Sequence, residues 1–232
     1  MVGITFMREK FAADLAAIEG RLDAALGRTV VTLASVADAV VDPTPESSRA
    51  IAESALELRI ASHRADAELV TITARQAPVA SDLRLVLSLI QITQYVGLIA
   101  NQFDLISQQL SEIDVGARDR QGTGERLSQM AMLVGAQLEH AAGAFGARDI
   151  GLAEGIERED DAIDKVNRVV FEATLVLAAG QDERELGLRH VLIARSLERI
   201  ADNAVDIASQ VIFLVTAQRR EISDASRRER RS

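Results

Sequence analysis

The sequence predicts an all-α fold, two tandem antiparallel three-helix bundles, on three observations. Apolar residues recur at steps of three and four through most of the 232 residues, the period of helices with a buried seam. Only three prolines occur, and they fall between these periodic segments rather than inside them. Aromatics make up 3% of the chain and tryptophan is absent, so a core must be built from Ala, Leu, Ile and Val, a palette that suits close helix packing better than a β-sandwich.

The first helix carries Phe11, Leu15, Ile18, Leu22, Leu26, Leu33, Val36 and Val40 as one narrow seam, and Asp42-Pro43-Thr44-Pro45 should stop it because two prolines withdraw backbone donors. Ser47 or Ser48 is the expected cap of a second helix running to about Arg75. After Pro78, Ser81 or Asp82 is the expected cap of a third, with Leu83, Val86, Leu87, Ile90, Ile92, Ile99 and Ile106 as its apolar residues; Asp82 and Arg84 read as a local cap and salt bridge, with a partner contact as the alternative. A polar stretch between Ile113 and Gly124 reads as a linker. Leu127, Met130, Leu133, Val134, Leu138 and Phe145 then mark a fourth helix. Asp149 should cap a fifth running to about Ala179, with Gly180 ending it. Asp182 and Glu185 have the spacing of a capping box for a sixth, extending to about Arg220.

An offset of 101 residues pairs Leu85 with Leu186, Ile99 with Ile200, Ala100 with Ala201, Ile106 with Ile207 and Gln109 with Gln210, which indicates a duplication. The expected division is a first repeat over 1–114, a linker over 115–123, a second repeat over 124–220 and a flexible basic tail over 221–232. A single six-helix bundle is the competing arrangement.

Charge narrows the function. With 35 acidic and 26 basic residues the formal net charge is −9, so phosphate backbones gain no general attraction and no nucleic-acid partner is expected. The one basic cluster, Arg227, Arg228, Arg230 and Arg231, reads as a solvated end. Absence of cysteine excludes a disulfide framework, a thiolate nucleophile and a Cys-ligated metal. Met1 to Met7 is too short for a signal peptide, and Leu85 to Ala100, broken by Ser88, Gln91, Thr93, Gln94 and Gly97, reads as a buried helix rather than a membrane span. The expected location is therefore cytoplasmic.

Two acidic pairs stand out, Asp160 with Asp164 and Glu198 with Asp202, with Asp206 one turn further. The i, i+4 spacing puts both members of a pair on one helix face, about 6 Å apart, within reach of a shared hard cation. Glu198, Asp202 and Asp206 also lie away from the apolar sector of Ile193, Leu197, Ile200, Ala204 and Val211, as a simple solvated face would. His63, His140 and His190 lack a Glu three residues upstream and so do not form a di-iron motif; as isolated helical histidines they read as surface or packing groups. Asn101 and Gln102, polar within an apolar helix, read as an exposed strip, with a partner-facing strip as the alternative. The chain shows no P-loop and no nucleophile arrangement.

The segment from Leu197 to Ala208, Leu-Glu-Arg-Ile-Ala-Asp-Asn-Ala-Val-Asp-Ile-Ala, followed by Val211 to Thr216, resembles the third-helix signature of the PhoU family of phosphate-uptake regulators. Gln76 to Arg84 resembles the family's entry into the third helix of the first repeat, and Arg158 to Asp164 its acidic stretch in the second. The resemblance implies two three-helix repeats and no enzyme activity. It implies negative regulation of phosphate uptake and of the phosphate-starvation response, exerted through the ATP-binding subunit of the phosphate ABC transporter and a phosphate-sensing membrane histidine kinase. Location at the inner face of the membrane through those partners follows, and a homodimer is open. Some members hold multinuclear metal clusters; by resemblance Asp160, Asp164, Glu198 and Asp202 match the ligands and Asp206 stands where Asn is frequent. The first-repeat counterparts are Ala55, Arg59, Gly97 and Asn101, with Leu98 in place of Arg199, so a divalent or trivalent ion (Fe, Zn, Mn or Mg) is expected at the second repeat only. A metal-dependent or metal-storage bundle is the alternative function.

Overall fold

A computed structural model describes residues 2–76, 78–114, 119, 122–175 and 181–219. Among these the chain forms six α-helices and no strand: α1 Val2–Ala39, α2 Pro45–Gln76, α3 Ala80–Ser111, α4 Thr123–Ala147, α5 Ile150–Leu175 and α6 Gln181–Thr216. The periodic seams account for them. Leu15, Ile18, Leu22, Leu26, Leu33, Val36 and Val40 are buried along α1, as are Leu127, Met130, Val134, Leu138 and Phe145 along α4.

Capping differs from the expectation at three helices. For α2 the cap is Thr44, whose Oγ accepts the Ser47 N–H at 3.1 Å while Ser47 Oγ accepts the Thr44 N–H at 3.1 Å. With Pro45 as the first helical residue this is a reciprocal capping box, and Ser47 is its distal partner rather than the cap. Neither Ser81 nor Asp82 caps α3: the N-cap is Val79, without a side-chain bond, and Asp82 sits inside the first turn, where its charge suits the helix dipole. α6 already includes Gln181, which places Asp182 inside the helix rather than at its cap. At α5 the expected cap forms, with the Leu152 N–H donating to Asp149 Oδ1 at 3.1 Å. The proposed ends at Ala179 and Gly180, the tail arginines, and most of the linker lie outside the described residues. Asp119, the one described residue between 114 and 122, accepts the Gly124 N–H at 2.6 Å. Gly124 is needed there, because a Cβ would come within 2.7 Å of the Val40 carbonyl where α4 starts against the end of α1.

Within each repeat the three helices pack on one another. Across the repeats α1 packs on α4 and α3 on α6, so the two bundles share one continuous apolar core. Both cross-repeat pairs are antiparallel. Arg148, just past the end of α4, donates to Glu19 in the first half of α1 at 2.7 Å, and Arg189 near the start of α6 reaches Gln109 and Glu112 at the end of α3, at 3.2 and 2.5 Å. By length and composition α3 alone among the described helices could cross a membrane. Here its apolar residues Val86, Leu89, Ile92, Val96, Ile99, Phe103 and Ile106 are buried in the bundle, in contact with α2 and α6.

Candidate functional site

Three turns into α5, Asp160 is only 4% exposed and accepts a hydrogen bond from Gln137 Nε2 of α4 at 3.2 Å. Gln137 is itself fully buried, and its Oε1 has no partner among the described residues. One residue earlier on α5, Glu159 pairs with His140 Nδ1 of α4 at 2.8 Å. The α4 to α5 contact thus engages the first acid of the expected pair through a buried amide that sequence reading did not single out. A polar residue set beside the apolar seam positions Val134 and Leu138 is the signal that could have found it.

One turn later Asp164 enters a cleft of about 270 Å³ between α5 and α6. Its walls carry Asn167, Arg168 and Phe171 from α5 and Arg195 and Glu198 from α6. The fold therefore brings Asp164 and Glu198 to one place, and adds two guanidinium groups that the acidic motif alone did not announce, though Arg168 lies one turn after Asp164 and Arg195 one turn before Glu198. Asp202 and Asp206 follow Glu198 by one and two turns on α6, are half-buried, and do not line the cleft.

This arrangement does not fit the expected metal. Among the described residues no group of three or more His, Asp or Glu side chains is placed to hold an ion. A hard cation needs several convergent oxygens, whereas the cleft offers two carboxylates balanced by two cations. Such a mixed-charge cleft suits ionic and hydrogen-bonding contact with a polar surface.

At the equivalent place in the first repeat α2 and α3 close directly. Ala55 is fully buried, and Arg59 forms an ion pair with Asp104 across the two helices. Gly97 faces Ser62, and a Cβ there would come within 2.9 Å of Ser62 Oγ, which donates to the Thr93 carbonyl at 2.9 Å. Asn101 and Leu98 point outward. No acidic side chain fits at 97 without displacing Ser62.

Other expectations resolve individually. Gln102 does not share Asn101's exposure: it is buried, and its Oε1 has no partner among the described residues. Arg84 is not paired with Asp82, and its Nε is buried without a partner among the described residues. His63 is exposed, whereas His190 on α6 is 3% exposed, and burial holds its pKa below the ordinary 6.5 against the opposing pull of Asp119 and Glu125.

The PhoU domain family model matches residues 127–211, the part of the second repeat that retains the acidic positions. A phosphate-specific transport system accessory protein PhoU homolog of Pseudomonas aeruginosa is 26% identical over 209 residues, covering 89% of this chain and 86% of the relative. A homolog of Thermotoga maritima carrying the same description is 28% identical over 154 residues, 63% of each chain. Among solved structures, the phosphate transport system regulatory protein PhoU from Streptococcus pneumoniae superposes with a TM-score of 0.81 at 20% identity, covering 90% of this chain and 99% of that one. PhoU from Pseudomonas aeruginosa gives 0.74 at 23%, covering 92% and 99%. At those identities the superpositions establish the fold, which extends through the first repeat as well as the second. The second half of this chain thus matches the PhoU domain, and the chain as a whole is similar to PhoU homologs over nearly its full length and shares the six-helix fold of the PhoU structures.

Proposed function

We propose that this chain is a non-enzymatic, negative regulator of phosphate uptake and of the phosphate-starvation response. It acts by protein contacts with the ATP-binding subunit of the phosphate ABC transporter and with a phosphate-sensing membrane histidine kinase, and so works in the cytoplasm at the inner face of the membrane. The observation that carries the reading is the match over 89% of the chain to a phosphate-specific transport system accessory protein. The surface is compatible with it: Leu56, Ile60, Leu98 and Leu105 are exposed on α2 and α3, and apolar side chains of this kind supply area for a protein interface.

The test is a clean deletion in the source organism grown in abundant phosphate, with a starvation-gene reporter as readout. The reporter should be switched on, and complementation by the intact chain should silence it. A reporter that stays silent in a strain without a second homologue refutes negative regulation. Affinity purification from the same cells should recover the transporter subunit and the kinase. Metal at the second repeat would require Asp160 and Asp202 to turn toward the cleft that holds Asp164 and Glu198, and elemental analysis of protein purified without chelators measures whether they do.

A further inference from the structure

At the end of the bundle where α1 and α3 finish and α4 begins, the two repeats enclose a cavity of about 140 Å³. Its titratable groups are Asp42 just past α1, Asp114 just past α3, Asp119, Glu125 in the first turn of α4 and His190 of α6; among the described residues no lysine or arginine lines it. The backbone adds to the negative field, because the C-termini of α1 and α3 both carry partial negative charge. The opposing N-terminus of α4 is already answered by Asp119, which accepts the Gly124 N–H at 2.6 Å.

His190 adds a separate indication of a ligand. It is 3% exposed, its ring stands in the cavity wall, and it makes no hydrogen bond to a described residue. Burial keeps the imidazole neutral at pH 7 against the pull of Asp119 and Glu125, so one ring nitrogen holds an unused lone pair. A bare metal ion does not fit, since among the described residues no three His, Asp or Glu side chains converge to ligate one. The volume is that of about five liquid waters, room for a polyatomic cation that carries N–H donors. The cavity also continues into a neighbouring cleft of about 340 Å³ between the start of α2 and the end of α3, with Pro43 and Ile113 lining both. Among the described residues no carboxylate lines that cleft, where Ser48, Ala52 and Ser107 present small neutral side chains.

We propose that this end of the bundle docks an extended segment of a partner protein that carries an arginine, its guanidinium entering the cavity among Asp42, Asp119 and Glu125 and donating to His190. Charge selects a cation, and the imidazole lone pair selects one with N–H donors. Arginine serves better than lysine, because its planar fork of five N–H groups reaches several acceptors at once. The second cleft selects a peptide over a free amine. A free amine fills the acidic cavity alone, whereas the residues flanking an arginine in a peptide also occupy the neutral cleft. Helices of both repeats line the cavity, so one guanidinium spans the junction between them. This place is distinct from the cleft of Asp164 and Glu198.

The test titrates the intact chain with acetyl-Gly-Arg-Gly-amide, with the same peptide carrying citrulline, a neutral near-isostere of arginine, and with methylguanidinium. The readout is the imidazole NMR signal of His190, assigned among the three histidines by its loss in His190→Gln. The arginine peptide should shift that signal saturably with a Kd of about 5 mM or below, and should bind about tenfold more tightly than either the citrulline peptide or methylguanidinium. Asp42→Asn and Glu125→Gln should each weaken the arginine peptide by about threefold or more with unchanged helicity. Four outcomes overturn the proposal: no saturation up to about 20 mM, the citrulline peptide binding equally, an affinity indifferent to both substitutions, or methylguanidinium binding as tightly as the peptide, which would make the cavity a site for a free cation.

Discussion

Arg59 of α2 and Asp104 of α3 form an ion pair in the first repeat, each side chain one-third exposed, and Arg59 stands where the second repeat has Asp164. This position carries a cation where Asp164 is a carboxylate, and the neighbouring helix supplies the compensating charge. Removing the aspartate with Asp104→Asn should cost up to about 1 kcal/mol, because the pair is only partly screened from water. Urea unfolding at low and high salt checks this. The cost should shrink as salt rises, and a salt-independent cost would mean that packing rather than charge is responsible.

Gly97 and Ser62 set how closely α2 approaches α3. Replacing Gly97 by Ala gains about 1 kcal/mol of helix propensity, but in the native background it drives Cβ to within 2.9 Å of Ser62 Oγ. With Ser62→Ala also in place, the next atom from that Cβ is the residue 62 Cβ, at 3.7 Å, which is ordinary contact. The propensity gain is common to both backgrounds, so Gly97→Ala should stabilise the Ser62→Ala background more than the native chain by the cost of the Ser62 contact, about 0.5–3 kcal/mol. A double-mutant cycle by denaturant unfolding measures the difference, and simple additivity would show that the helices already shift apart freely.

His190 should make stability fall in mild acid. Its folded pKa is lowered by burial, so as pH drops below the ordinary value of 6.5 the unfolded chain takes up a proton that the native chain refuses. Its contribution is complete above that value and is lost progressively toward the folded pKa. His190→Gln should flatten this part of the stability profile. Glu125→Gln, which removes one of the charges favouring the imidazolium, should extend the loss to lower pH. Thermal melts at half-unit pH steps provide the comparison.

A protease nick in the stretch between Asp114 and Gly122 should leave the two halves bound to each other. The core is continuous across α1 with α4 and α3 with α6, and Arg148 to Glu19 and Arg189 to Glu112 reinforce both contacts. The fragments should co-elute on size exclusion and part only in denaturant. Separate elution would make each repeat an independent domain.

The six helices were legible in the sequence because a buried seam writes itself as a period of three and four. Proline at 43 and 45 and Asp149 at a helix start likewise act through the local backbone. Capping was legible in kind but not always in position. Thr44 and Ser47 bond each other, and the choice between neighbouring hydroxyls rests on a single turn of backbone geometry. The resemblance to the PhoU domain was readable too, since it depends on the order of residues alone, and the domain model matches residues 127–211.

Where the acids go was decided only by tertiary structure. Spacing i, i+4 puts Asp160 and Asp164 on one face of α5, but the roll of that helix between its neighbours gives Asp160 to Gln137 of α4 and Asp164 to the cleft it shares with Glu198 of α6. Periodicity fixes which side chains share a face. Which neighbour that face meets, and whether a cation or a guanidinium answers it, depends on the crossing of two helices far apart in the chain, and no local pattern encodes that.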